Sequence, residues 1–196
     1  MDKLKIADLF DGLAKTWDDN EHPRVFAIVE QIIGKINILS GESVLDVGCG
    51  TGILYPYIKK RGAAALHIDL SAGMLEKFNE KYPAARVMRA DFETVNLPPS
   101  SFDKIIAYNV FPHFVDKRAV FAQSYKFLKS GGSLFIVHSM TRDELKKIHS
   151  GNKRTARNLL PDGIAMRRFY QEAGFKDIIM EEASPGFFSS GKKDLV

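Results

Sequence analysis

The sequence predicts an α/β fold, a doubly wound and mostly parallel seven-stranded sheet with helices on both faces. Three observations carry that expectation. Short β-branched or apolar runs alternate with amphipathic stretches along the chain. The runs are continuously apolar rather than alternating, which marks strands buried on both faces and joined by helical crossovers. A glycine-rich turn, "VLDVGCGTG" from Val44 to Gly52, separates the first such run from the first helical stretch. A length of 196 residues suits one domain spanning 1–196 and is too short for two.

Taken in order, Pro23 opens a helix whose Val25, Ile28, Val29, Ile32, Ile33 and Ile36 form one apolar stripe. Strands follow at 43–48, 64–70, 85–91, 102–110 and 132–139, with helices at 52–61, 72–82 and 116–129 between them. Ser71 caps the second of these helices, and "SGG" at 130–132 ends the third. A helix over 162–174 and two closing strands, "FKDIIMEEA" and "GFFSSGKKDLV", complete the pattern. Residues 1–40 read as an N-terminal helical cover and first core helix, 41–139 as a ligand-binding core, 140–162 as a lid, and 163–196 as a final helix with antiparallel strands.

Composition narrows the class. Apolar residues make up 45% and charged residues 27%, an ordinary globular balance. No run of 18 uncharged apolar residues suggests a membrane span, and "MDKLKIADLFDG" lacks the apolar core of a secretory signal. One cysteine excludes an internal disulfide and makes a cytoplasmic location the default. A net charge of +4 permits an anionic partner without demanding one.

In doubly wound sheets ligands bind beyond the carboxyl ends of the strands, where the strand order reverses. The glycine turn lies at such a place. Glycines there allow positive φ and close backbone approach to a ligand. A dinucleotide fingerprint would read G-x-G-x-x-G, whereas this loop reads G-x-G-x-G with Asp46 two residues before it.

That spacing resembles the first motif of the class I S-adenosylmethionine-dependent methyltransferases, a Rossmann-like superfamily. The resemblance covers about residues 40–140 and implies S-adenosyl-L-methionine as cofactor, with S-adenosyl-L-homocysteine as product. It implies that Asp46, Gly48, Cys49, Gly50, Thr51 and Gly52 pass under the methionine part of the cofactor. Asp69, 21 residues after Gly48, stands where the family places an acid on the ribose hydroxyls, beside Leu70; its plainer reading is a helix-capping acid. Met74 would pack on the adenine, Asp91 would meet the adenine amine, and Phe92 would support the ring. "FDKIIAYNVFPHF" resembles the fourth motif, whose strand ends at Asn109 facing the transferred methyl.

The superfamily motifs do not name the acceptor. Amino-directed nucleic-acid enzymes of this kind carry N-P-P-F/Y or D-P-P-Y where this chain has "NVFP", and cytosine-C5 enzymes need a Pro-Cys pair that is absent. Phe10 and Trp17 stand in the N-terminal cover as a substrate lid or as ordinary packing aromatics. From Arg142 to Arg168 eight basic residues (142, 146, 147, 153, 154, 157, 167, 168) face three acids. They read as a solvated helix face, as a counter-charge for an anionic small molecule, or as a hold on RNA or protein. A small-molecule methyltransferase leads these readings, with a nucleic-acid or protein methyltransferase as the alternative and a cofactor-binding regulator as a third. His113, His138 and His149 are candidates for a general base. They also admit two further accounts: a three-histidine metal site, or surface and hydrogen-bonded loop residues.

Overall fold

A computed structural model of the chain describes residues 3–20, 23–150, 159–183 and 186–195, without the side chains of 20, 23, 24, 148–150 and 183. Seven strands form one sheet: β1 Ser43–Val47, β2 Ala64–Asp69, β3 Val87–Arg89, β4 Phe102–Tyr108, β5 Leu128–His138, β6 Lys176–Ala183 and β7 Gly186–Lys192. Their order is β3-β2-β1-β4-β5-β7-β6, with β7 running opposite to the other six strands. The order reverses between β1 and β4. That switch point lies immediately before the glycine turn.

The two-residue period of a strand sends successive side chains to opposite faces, and β4 shows the result. Ile105 and Ala107 join the core beneath α5 (Lys117–Phe127) and α7 (Gly163–Glu172). Ile106 and Tyr108 join the core beneath α2 (Pro23–Ile36) and α3 (Tyr55–Lys60). The stripe on α2 buries Ile28, Val29, Ile32, Ile33 and Ile36 against that second face. Helix α4 (Ala72–Lys81) starts at Ser71, whose hydroxyl accepts the Met74 N–H at 3.1 Å. The chain before α2 forms α1 (Lys3–Leu13) and two one-turn 3₁₀ helices, Ala14–Thr16 and Asp18–Asn20.

Some boundaries differ from the sequence reading. The helix expected over 116–129 ends at Phe127, and "LKSGG" belongs to β5. Phe127 and Leu128 are both fully buried, and Leu128 pairs with Phe102 before a register shift in β4. Burial of that pair outweighs continuation of the helix. A side chain at Gly132 would lie 2.9 Å from the Asp103 carbonyl, so the strand passes too close there for any other residue. The helix expected over 52–61 is only α3, because the turn still unwinds through Gly52 at φ +93°. The third strand is trimmed to Val87–Arg89. Helix α6 (Arg142–Ser150) follows β5, and residues 151–158 of the expected lid lie outside the described residues. No helix among the described residues is long and apolar enough to cross a membrane.

Candidate cofactor and active site

A cavity of about 410 Å³ opens at the carboxyl ends of β1, β2 and β4 and is roofed by the N-terminal segment. Its size falls within the range of small-molecule sites. The three glycines of the turn have separate tasks. A Cβ at Gly48 would sit 2.2 Å from the Val110 side chain, and one at Gly52 would sit 2.9 Å from the Phe78 ring. Both are packing requirements, and Gly52 does not line the cavity. Gly50 lines the cavity at φ +53°, and a Cβ there would meet nothing within 4 Å. That side of the turn is open to the cavity, which lets a ligand approach the backbone closely, as a bound cofactor would need.

Asp69 ties this turn together. Its Oδ2 accepts the Gly50 N–H at 2.8 Å and its Oδ1 accepts the Ser71 N–H at 2.8 Å. Each carboxylate oxygen keeps a further lone pair for a ligand hydroxyl. Burial pushes its pKa up, against the two N–H donors that pull it down. Burial likewise raises the Cys49 thiol well above its ordinary value, with the Asp46 and Asp69 charges adding to the effect. Cys49 is an inert, buried part of the wall.

The structure brings Asp46, Gly48, Cys49, Gly50, Thr51, Asp69, Leu70, Met74, Asp91, Phe92, Asn109, Phe10, Trp17 and His113 to the cavity wall. Asn109 adopts φ +55° and exchanges hydrogen bonds with Ser139, 3.1 Å from its amide nitrogen and 2.8 Å to its oxygen. A left-handed non-glycine residue at a strand end is a feature that clusters at functional sites. Phe10 meets His113 edge-on at 5.0 Å and Trp17 at 5.7 Å.

One histidine expectation needs correction, and another lies outside the described residues. His138 does not line the cavity; it is buried, and its Nδ1 accepts the Met140 N–H at 3.0 Å, so Met140 is the residue of that strand end that reaches the wall. The His149 side chain lies outside the described residues. No group of three His, Cys, Asp or Glu among the described residues is placed to hold a metal ion. In the basic stretch, Arg142, Lys146, Lys147, Arg167 and Arg168 all lie away from the cavity wall. Arg142 is turned to Glu182 at 2.7 Å and to the Pro161 carbonyl at 3.1 Å. Lys153, Arg154 and Arg157 lie outside the described residues.

Several residues that shape the site carry no motif. Lys3 reaches Asp91 at 2.7 Å and Glu93 at 2.9 Å. Asp11 accepts the Ser71 hydroxyl at 2.5 Å and the Gly73 N–H at 2.9 Å. Asp18 accepts the Thr51 hydroxyl at 2.5 Å and pairs with Lys81 at 2.6 Å. The cover is thus fastened to the glycine turn, to the cap of α4 and to the end of β3.

Comparisons with known proteins agree with this geometry. A family profile described as a methyltransferase domain matches residues 45–136. An uncharacterised methyltransferase of Geobacillus thermodenitrificans is 32% identical over 149 residues, covering 71% of this chain and 69% of that protein. The chain belongs to the class I S-adenosylmethionine-dependent methyltransferases. Phosphoethanolamine N-methyltransferase 1 of Arabidopsis thaliana is 30% identical over 172 residues. That match covers 85% of this methyltransferase chain but only 35% of the plant protein. Phosphoethanolamine N-methyltransferase 2 of Haemonchus contortus, solved with S-adenosyl-L-methionine, superposes with a TM-score of 0.69 at 18% identity. It covers 85% of this chain and 52% of its own, and at that identity it speaks for the fold.

Proposed function

We propose that the chain transfers the methyl group of S-adenosylmethionine to a small-molecule acceptor. The observation that carries this reading is the latched cover: α1 and the 3₁₀ turns roof the cavity, leaving a compact site rather than an open groove for a polymer. The sulfonium supplies an activated methyl group. The chain's own part is to bind it through Asp69 and the turn at Gly50, to exclude water, and to aim the acceptor from the Asn109–Phe114 side. His113 is the imidazole on that wall and serves as proton acceptor where the acceptor atom carries a proton.

Lys3, the one cation lining the cavity among the described residues, is paired with Asp91 and Glu93, so an anionic group on the acceptor would share it with those carboxylates. The phosphoethanolamine methyltransferases named above support a small acceptor with such a group. The described basic side chains of the stretch, Arg142, Lys146, Lys147, Arg167 and Arg168, by contrast stand off the wall, which weighs against the RNA or protein reading.

The experiment is a screen for S-adenosylhomocysteine release with fractionated metabolites, phosphoethanolamine among them, and with total RNA and protein. Turnover with a small molecule alone is expected. Turnover with RNA or protein alone, or cofactor binding without turnover on any acceptor, would overturn the reading.

A further inference from the structure

Asp46 on β1 is in register with His67 on β2, so both side chains stand on the α2 and α3 face of the sheet. His67 Nδ1 lies 2.9 Å from Asp46 Oδ2, and both residues are buried, at 0% and 1% exposure. Asp46 lines the cavity; His67 stands behind it and does not. The other ring nitrogen, Nε2, is buried without a hydrogen-bond partner. The rings of Phe78 and Tyr55 pack on the imidazole, their centroids 4.9 and 5.6 Å from its own.

These surroundings distinguish the forms of the imidazole. An imidazolium would leave an N–H of a charged ring facing aromatic carbon, and a neutral ring protonated on Nε2 would also bury an unpaired donor. It would moreover set an Nδ1 lone pair against a carboxylate. Only the neutral ring protonated on Nδ1 pairs its donor with Asp46 and leaves a bare lone pair at Nε2. In that form the pair keeps the full negative charge of Asp46.

We propose that His67 is a positioning residue of the cofactor site, which orients the Asp46 carboxylate and keeps its charge directed at the cavity. The cofactor carries a sulfonium charge that the product lacks. An anion fixed in a water-poor wall therefore favours the cofactor over the product and assists product release. Asp46, Asp69, Asp91 and Glu93 line this cavity against Lys3 alone, and Asp46 is the one of these held by a buried ring from behind. The inference rests on the cofactor reading of the cavity.

The test is calorimetry of the whole chain with S-adenosylmethionine and S-adenosylhomocysteine separately, in wild type, His67→Leu, His67→Asn and Asp46→Asn. The preference for cofactor over product should contract about tenfold in His67→Leu and Asp46→Asn. It should persist in His67→Asn, whose amide nitrogen can take the place of Nδ1. Nitrogen-15 spectra of the wild type should show His67 as the neutral tautomer protonated on Nδ1, a readout that needs no variant to fold. A purely structural role would weaken both ligands in parallel; that result, an unchanged preference in His67→Leu, or protonated Nε2 would overturn the proposal. A wild type that binds neither ligand would overturn the cofactor reading and this proposal with it.

Discussion

Gly50 donates its backbone N–H to Asp69 across 2.8 Å, which joins the turn after β1 to the acid at the end of β2. The acid therefore holds the loop in shape while presenting its remaining lone pairs to the cavity. Asp69→Ala should weaken S-adenosylmethionine binding by about 2–3 kcal/mol, a loss of about 30- to 150-fold. Asp69→Asn keeps an oxygen for only one of the two N–H donors and should fall between wild type and Ala. Calorimetric affinity near wild type in the Ala variant would remove Asp69 from the site.

The three glycines should separate in experiment. Gly50→Ala puts a methyl group into the cavity and strains one left-handed residue, at a stability cost of about 1 kcal/mol. Cofactor affinity should drop at least tenfold while thermal unfolding moves by only a few degrees. Gly48→Ala and Gly52→Ala instead collide with Val110 and Phe78 and should cost mainly stability. Thermal melts with and without cofactor distinguish the two patterns.

Acid should weaken cofactor binding earlier than an ordinary aspartate would. Burial raises the Asp69 pKa in the folded chain, so it takes up its proton at a higher pH than an ordinary aspartate does. The ionised form is the better acceptor for ribose hydroxyls, so affinity falls as pH drops through that raised value. The same shift makes protonated Asp69 the form that folding favours. A titration of affinity against pH in wild type and Asp69→Asn checks this, since the variant should lose that limb of the curve.

Among the histidines whose side chains are described, only His113 lines the cavity, and it is the one of these expected to act in turnover. His113→Ala should lower kcat by about 10²- to 10⁴-fold on a hydroxyl or thiol acceptor, with little change in cofactor affinity. His138→Ala should lower stability through the lost bond to Met140 and leave cofactor binding intact. Elemental analysis and activity of His149→Ala complete the test of the metal alternative.

The succession of strands and helices along the chain and the glycine turn were readable because their causes are local: apolar runs, a cap at Ser71, and a short spacing of glycines before a helix. Asp69 and Met74 were pointed to only by the family resemblance, and both line the cavity. Lys3, Asp11 and Asp18 were not readable, since they meet Asp91, Ser71 and Thr51 across 88, 60 and 33 residues of chain. No periodicity marks such contacts. His67 was hidden differently, as a polar residue between apolar neighbours Leu66 and Ile68 whose partner only the register of β1 and β2 reveals.

The fastened cover makes the chain a competitor of its own ligand. Lys3 already neutralises Asp91 and Glu93, Asp18 already occupies Thr51, and Asp11 already holds the Ser71 hydroxyl. Where a cofactor displaces any of these contacts, its apparent affinity is the intrinsic one reduced by the fraction of molecules in which that contact is open. Added salt weakens the partly exposed Lys3 and Lys81 pairs. It should consequently speed both entry and escape, so that ionic strength tunes residence time more strongly than the equilibrium itself.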